Sequence, residues 1–279
     1  MQYTNMRKEV IAVDLGGSNL RVALVRNNKI IRLIRKKTGK TKEGILSDMN
    51  NSIFELINKD VKGIGIASPG PLKNGIIINP PNIPFRNFNM KRYFQNKFKI
   101  RIEVDNDANC VALAEHKLGA GRGKNNFFIL TLGTGIGGGV VIMGKVYKSK
   151  DIGTELGNIY LTRNKTFEQL VGGKAISKIT KEYFGEELNL SELMKINNAK
   201  SRRLLDEITE YYAQGIGSLI NIFNPEIVVL AGGMREAGQR FLNVIRKKVE
   251  KYVTLPAHYK IVWSKLEEPG ILGAALLID

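Results

Sequence analysis

A strand, a glycine turn and a second strand open this chain: Val10 to Val13, then Asp14-Leu15-Gly16-Gly17-Ser18-Asn19, then Leu20 to Val25. The same unit returns in the middle, where Phe127 to Leu130 leads through Thr131-Leu132-Gly133-Thr134-Gly135-Ile136-Gly137-Gly138-Gly139 into Val140 to Met143. A slide of 117 residues lays Gly133 on Gly16, Val141 on Leu24, Ile142 on Val25 and Gly144 on Asn27. A recurring unit constrains the architecture before any motif is considered. Strands alternate with helix-period segments around both copies, which predicts α/β layers. The duplication predicts two such layers facing each other across a cleft.

Between the copies, the Asn27-Asn28 turn returns Ile30 to Ile34 as a strand, and Ile45, Leu46, Met49, Ile53, Phe54 and Ile57 mark a helix capped by Thr41. Val61 to Ala67 is a buried strand that runs into Ser68-Pro69-Gly70-Pro71, and Asn79 to Pro84 is a rigid loop. Ile100 to Val104 reads as a strand, followed by a helix from Ala108 that closes at Gly119. Beyond the second copy, one helical pattern spans Thr166 to Phe184. Another runs from about Lys200 to Phe223 and stops ahead of Asn224-Pro225. Ile227 to Leu230 and Ile261 to Trp263 read as strands, with helices from about Glu236 to Tyr252 and from Pro269 to Leu277. The expected domains are an N-terminal α/β domain over 1–107, joined by the C-terminal helix 266–279, and a larger α/β domain over 108–265.

With 279 residues, 43% of them apolar, the chain can bury a core in each domain. Cys110 is its one cysteine, which excludes a disulfide framework and a cysteine-based zinc cluster and fits a reducing compartment. The start MQYTNMRKEV carries no apolar leader, and no stretch approaches the roughly 18 apolar residues of a membrane span. A cytoplasmic protein with no membrane partner is expected. The net charge of +17 is spread from Lys29 to Lys265 rather than gathered into an arm or stripe. This argues against a nucleic-acid partner and for a soluble surface that attracts anionic substrates. His116 and His258 lack companion ligands at metal-site spacing.

Two glycine turns at matching positions bring backbone N–H groups close to whatever they face, because glycine has no Cβ to block the approach, and phosphate is the natural ligand. Neither turn is a P-loop or a dinucleotide fingerprint, since both lead into strands. Asp14 then acts through Mg²⁺ or its waters, while Ser18, Asn19 and Thr134 donate to phosphate oxygens. Asp107, flanked by Asn106 and Asn109, is the candidate general base for an alcohol; its competing role is to N-cap the helix that follows. Glu155, Asn158 and Glu168 could grip sugar hydroxyls or form a solvated face. Gly232-Gly233 could let a flat ring lie against backbone or form an ordinary strand-to-helix turn.

Taken in order, these motifs resemble the ROK family (repressors, uncharacterised reading frames and sugar kinases) of the actin-like and hexokinase-like ATPase superfamily. Asp14-Leu15-Gly16-Gly17-Ser18-Asn19 is similar to its first phosphate motif, and Leu132 to Gly139 to its second. Asp105-Asn106-Asp107-Ala108-Asn109 resembles the segment that carries its catalytic aspartate. The resemblance covers nearly the whole chain. It implies a two-domain actin-like (ribonuclease-H-like) fold with ATP and Mg²⁺ as cofactors, a small-molecule sugar as partner, and a homodimer or homotetramer. It implies that Asp107 is the base and that Gly70, Asn82, Asn106, Glu155, Asn158 and Glu168 contact the sugar. Asp14, Gly16, Gly17, Ser18, Asn19, Gly133, Thr134, Gly135, Gly232 and Gly233 then hold the nucleotide and its metal.

Two departures stand out. Asn158 replaces the histidine that in the family touches sugar and ligates zinc, and Thr162-Arg163-Asn164-Lys165-Thr166 replaces its cysteine-rich loop, so no structural zinc is expected. Phe85-Arg86 stands where many members have Trp, adding a cation near the acceptor site. The expected activity is phosphorylation of a hexose hydroxyl, the 6-hydroxyl of glucose or a relative. An N-acetylhexosamine acceptor, an ADP or polyphosphate donor, and a non-enzymatic sugar-sensing regulator are the alternatives. The last is disfavoured because the first hairpin begins at about residue 10, ahead of which a helix-turn-helix does not fit.

Overall fold

The computed structural model describes residues 9–149, 152–256 and 258–279. The leader reading of Met1 to Lys8 lies outside these. The chain forms two compact units. One gathers the described residues up to Ala114 with those of Lys148–Gly153 and Leu266–Asp279, and the other comprises Glu115–Tyr147 and Thr154–Lys265.

The first unit runs β1 (Glu9–Leu15), β2 (Asn19–Arg26), β3 (Lys29–Lys37), α1 (Lys42–Leu56), β4 (Val61–Ser68), β5 (Leu72–Lys73), β6 (Ile76–Ile77), β7 (Phe88–Asn89), α2 (Met90–Phe98), β8 (Arg101–Asn106) and α3 (Asp107–Lys117), whose last turn belongs to the second unit. The second continues with β9 (Phe127–Leu132), β10 (Ile136–Ile142), β11 (Lys145–Val146), α4 (Phe167–Val171), α5 (Gly173–Phe184), α6 (Leu190–Leu193), α7 (Ala199–Phe223), β12 (Ile227–Ala231), α8 (Gly238–Val249) and β13 (Lys260–Trp263). Helix α9 (Pro269–Leu276) returns to the first unit. Among the described residues, no helix is long and apolar enough to cross a membrane.

The two main sheets have the same plan: β3-β2-β1-β4-β8 and β11-β10-β9-β12-β13. In each, the first three strands are antiparallel neighbours and the last two run parallel to the first. The internal repeat is real, but its register slips by one residue after the glycine turn. Leu15 pairs with Leu20 across four turn residues, whereas Leu132 pairs with Ile136 across three. Val141, opposite Phe127, therefore corresponds to Val25, opposite Val10, and not to Leu24. Both hairpins then close with two left-handed residues, Asn27 and Asn28 (φ 49° and 60°) in one and Met143 and Gly144 (φ 51° and 72°) in the other. That is the backbone a two-residue hairpin with right-handed strand twist requires.

Alternation along β1 sorts its side chains between two layers. Ile11, Val13 and Leu15 pack with Ile45, Met49 and Ile53 of α1 and with Met90 and Phe94 of α2. Val10 and Ala12 pack with Ile271, Ala274 and Ala275 of α9. Each fully buried aliphatic side chain contributes about 1.5–3 kcal/mol. Helix α9 lies so near the sheet that a Cβ on Gly65 would sit 1.8 Å from the Ala274 carbonyl oxygen. In the second unit, Phe128, Leu130 and Leu132 of β9 form one core with Tyr212 and Ile216 of α7 and with Phe241 and Ile245 of α8.

Two expected helices are corrected. The pattern from Thr166 to Phe184 is broken at Gly172, which is extended (φ −63°, ψ 159°), so α4 and α5 are separate. The helix expected from Glu236 begins at Gly238, after a tight 3₁₀ turn over Gly233–Ala237, and ends at Val249. Helix α2, the short sheet β5-β6-β7, β11 and α6 are not expected from the sequence pattern.

Candidate active site

In the first unit, Asp14, Ala67 and Asp105 are aligned across β1, β4 and β8, and Ser68 is aligned with Asn106. The motif residues thus gather at the carboxyl ends of the parallel strands, where open α/β sheets place their ligands. The first turn is closed by Gly16 N–H donating to Asn19 O at 2.9 Å. Thr38, just past β3, holds it from outside: its N–H donates to Ser18 O at 3.0 Å and its hydroxyl to Gly16 O at 2.7 Å. Asn82 backs onto the turn, since a Cβ on Gly17 would lie 2.9 Å from the Asn82 Cβ.

Asp14 is largely buried, and one of its oxygens accepts from Arg21 at 2.9 Å; Arg21 also reaches Glu268 at 3.3 Å. Burial pushes the Asp14 carboxyl above its ordinary value even though Arg21 pulls it down. Arg21 therefore offsets only part of the cost of burying that charge. A hard, oxygen-seeking dication such as Mg²⁺ fits that imbalance and that donor.

Asp107 is the first residue of α3. The capping role belongs to its neighbour: Asn106 Oδ1 accepts from the N–H groups of Ala108 (2.9 Å) and Asn109 (3.2 Å). Asp107 Oδ1 also accepts from Ala108 N–H, at 2.7 Å. Behind them lies Asp105, 7% exposed, which accepts from the Asn106 N–H at 2.7 Å and from Asn109 Nδ2 at 3.1 Å and is ion-paired with Lys148. The sequence reads Asp105 as a structural neighbour or second polar contact of Asp107 and does not find Lys148, because a lysine some forty residues on gives no local signal of pairing.

In the second unit, the turn Gly133–Gly135 is closed by Gly133 N–H donating to Gly135 O at 3.0 Å. The first amides of α5 seize its other carbonyls: Gly173 N–H donates to Gly133 O at 3.0 Å and Lys174 N–H to Thr134 O at 2.9 Å. The break at Gly172 makes this approach possible. Just beyond the turn, Glu168 Oε2 accepts from Ile136 N–H at 2.7 Å, and a Cβ on Gly135 would lie 2.2 Å from that oxygen. Glu155 and Asn158 are neighbours at 3.5 Å. Loss of water around the Glu155 carboxyl raises it above the ordinary glutamate value, and the Glu168 charge adds to this.

A cavity of about 700 Å³ adjoins this turn, lined by Gly133 and Thr134, by Lys174 and Lys178 of α5, and by Gly233 and Met234. Gly232 is left-handed (φ 98°) where β12 ends, and a side chain there would strike Leu132 O. The cavity wall supplied by α5 escapes sequence reasoning; its signal is the polar face Lys174, Ser177, Lys178, Lys181. Among the candidate residues, Asp14, Gly16–Asn19, Gly70, Asn82, Asn106 and Asp107 thus lie in the first unit. Gly133–Gly135, Glu155, Asn158, Glu168, Gly232 and Gly233 lie in the second.

Residues 10–279 match the ROK family. This chain belongs to the ROK family. A glucokinase of Thermotoga maritima is 31% identical over 97% of this chain and 97% of its own length. A ROK hexokinase from Thermus thermophilus superposes with a TM-score of 0.82 at 29% identity, covering 96% of this chain and 97% of that one. A ROK family glucokinase from Streptomyces griseus, solved in complex with glucose and AMPPNP, superposes with a TM-score of 0.88 at 24% identity over 96% and 98% of the two chains; that likeness speaks to the fold, a two-unit actin-like α/β architecture.

The two segments at which the sequence departs from the family's motifs are each held by hydrogen bonds of their own. The loop after Asn158 closes as a small hairpin in which Tyr160 bridges Thr166 and Lys165 N–H donates to the Thr162 hydroxyl at 3.1 Å. And Arg86 Nη1 donates to the Phe85 carbonyl at 2.7 Å and reaches those of Pro80 and Ile83 at 3.3 and 3.4 Å. The cation expected to alter the acceptor site is a strap for the loop that carries Asn82.

Proposed function

We propose that this chain transfers the γ-phosphoryl group of ATP to a hexose hydroxyl, the 6-hydroxyl of glucose or a close relative. The observation that supports this reading most is the end of β8: Asn106 caps α3, and Asp107 stands beside it as the first residue of that helix, at the carboxyl ends of the parallel strands. Asp107 deprotonates the sugar hydroxyl, and Gly70, Asn82, Asn106, Glu155, Asn158 and Glu168 orient the sugar. Gly16–Asn19 and Gly133–Gly135 bind phosphate through backbone N–H groups, which favours charge spreading over the transferring group. Adenosine occupies the cavity beside Gly232 and Gly233. Mg²⁺, held through Asp14, supplies neutralisation of phosphate charge when bound. The membership in the ROK family and the 31% identity to a glucokinase support the assignment.

The test is ADP release with ATP and Mg²⁺ across glucose, mannose, fructose, N-acetylglucosamine and N-acetylmannosamine, with a no-sugar control. Turnover with glucose or mannose is expected. Asp107→Ala is expected to lose about 10²–10⁴-fold in kcat while binding sugar nearly as well. Wild-type turnover in that variant would remove Asp107 from the mechanism. Activity confined to an N-acetyl sugar would keep the mechanism and move the specificity.

A further inference from the structure

Glu168 resembles a sugar ligand by motif, yet in this chain one of its oxygens is committed elsewhere. Oε2 accepts the Ile136 N–H at 2.7 Å, immediately beyond the turn residue Gly135. The commitment is built in at several levels. Helix α4 is anchored by a reciprocal capping pair, Thr166 with Gln169, and by Phe167, which is fully buried. Glu168 lies between those two anchors, so its backbone position is set. Gly135 has no Cβ, and any side chain there would occupy the space of the carboxylate. Meanwhile Gly173 and Lys174 hold two of the turn's carbonyls, and the bond that closes the turn uses the Gly133 N–H, not those of Thr134 and Gly135.

We propose that Glu168 is a positioning residue for the nucleotide: it holds the Gly133–Gly135 turn in the shape that presents the Thr134 and Gly135 N–H groups to phosphate. This rests on the reading that this turn binds nucleotide phosphate. One carboxylate would then serve two substrates, with Oε2 fixing the phosphate turn and the sugar contact of the proposed function falling to Oε1. The first role calls for an acceptor oxygen at this reach, two methylenes from the α4 backbone. An amide oxygen at the same reach would still accept the Ile136 N–H, whereas a carboxylate one methylene shorter would not.

That difference separates positioning from mere charge. The experiment is titration of the full chain with AMPPNP and Mg²⁺ by calorimetry, without sugar, for wild type, Glu168→Gln, Glu168→Asp and Glu168→Ala, with melting temperatures for each. Glu168→Gln is expected to bind AMPPNP within about threefold of wild type while its KM for the sugar rises. Glu168→Asp and Glu168→Ala are expected to bind AMPPNP at least about tenfold more weakly, the worth of one charge-assisted hydrogen bond. If Glu168→Ala fails to fold, the Gln and Asp pair carries the same contrast. Equal AMPPNP affinity in all folded variants, or loss in Glu168→Gln equal to that in Glu168→Asp, would overturn the inference and leave the kinase reading intact. Failure of the wild type to bind AMPPNP would overturn the nucleotide reading and this inference with it.

Discussion

The two glycine turns share a topology and differ in what holds them. Gly16–Asn19 is restrained by neutral groups, the amide and hydroxyl of Thr38. Gly133–Gly135 is restrained by a helix start and a carboxylate. The strands entering the turns differ in the opposite sense. Asp14 sits opposite Arg21 across the first hairpin, whereas Thr131 sits opposite Gly137 at the corresponding place in the second. Duplication thus supplied two glycine turns on one plan. The strand entering the first turn carries a largely buried acid, and the second turn has a carboxylate bound to the amide just beyond it. Symmetry of backbone does not impose symmetry of charge.

The largest effect should come from the residue of that comparison with no acidic counterpart. Asp14→Asn is expected to lose about a hundredfold or more in turnover, while Thr131→Ala changes it less than about threefold. The same variant tests the electrostatics. Because burial raises the Asp14 carboxyl, the folded chain holds that proton more tightly than the unfolded chain, so the ionised form weighs against stability as pH rises through the folded titration. Asp14→Asn should therefore melt no lower than wild type at pH 7. Its advantage should shrink as pH falls and Asp14 takes up its proton.

Next in size is a contrast within the second turn. Gly135→Ala drives a methyl into Glu168, while a methyl on Gly133 would meet nothing within 4 Å. Gly135→Ala is expected to weaken nucleotide binding by about tenfold, and Gly133→Ala to shift stability by no more than about 0.5 kcal/mol. Equal effects would show that the two glycines serve the turn alike. Smaller again is Thr38→Val, which removes the hydroxyl from Gly16 O and should lower stability by about 1 kcal/mol, to the same extent from pH 5 to pH 8, since no ionised group is involved. The smallest concerns pH. With Glu155 raised, sugar affinity should fall a few-fold as pH drops through its elevated titration, and Glu155→Gln should abolish that acid limb.

Much of this fold was legible because glycine turns between alternating strands announce themselves. The slip in register was not, because it depends on one turn residue fewer between Leu132 and Ile136, and sliding the sequence rigidly hides it. The break between α4 and α5 was hidden for a different reason. Gly172-Gly173 is tolerated inside a helix, and what splits it is the demand of two turn carbonyls for amide donors, a tertiary effect. Helix α2 has its Met90 and Phe94 on the buried face and Asn89 as cap, but its charged residues masked that pattern. The role of Asp107 was readable as one of two options, and the side chain that accepts from both the Ala108 and Asn109 N–H groups is that of Asn106, a pairing the sequence does not announce.

Helix α9 has a consequence for the order of events during synthesis. Ile271, Ala274 and Ala275 seal one face of the first sheet, yet they follow the whole second unit in the chain. A nascent first unit leaves the ribosome with Val10, Ala12, Ala23 and Val25 bare on that face, and it stays half-finished until translation has passed the second. The opening half of the molecule is therefore the half that matures last, and the interval is one in which chaperones have an apolar sheet to hold.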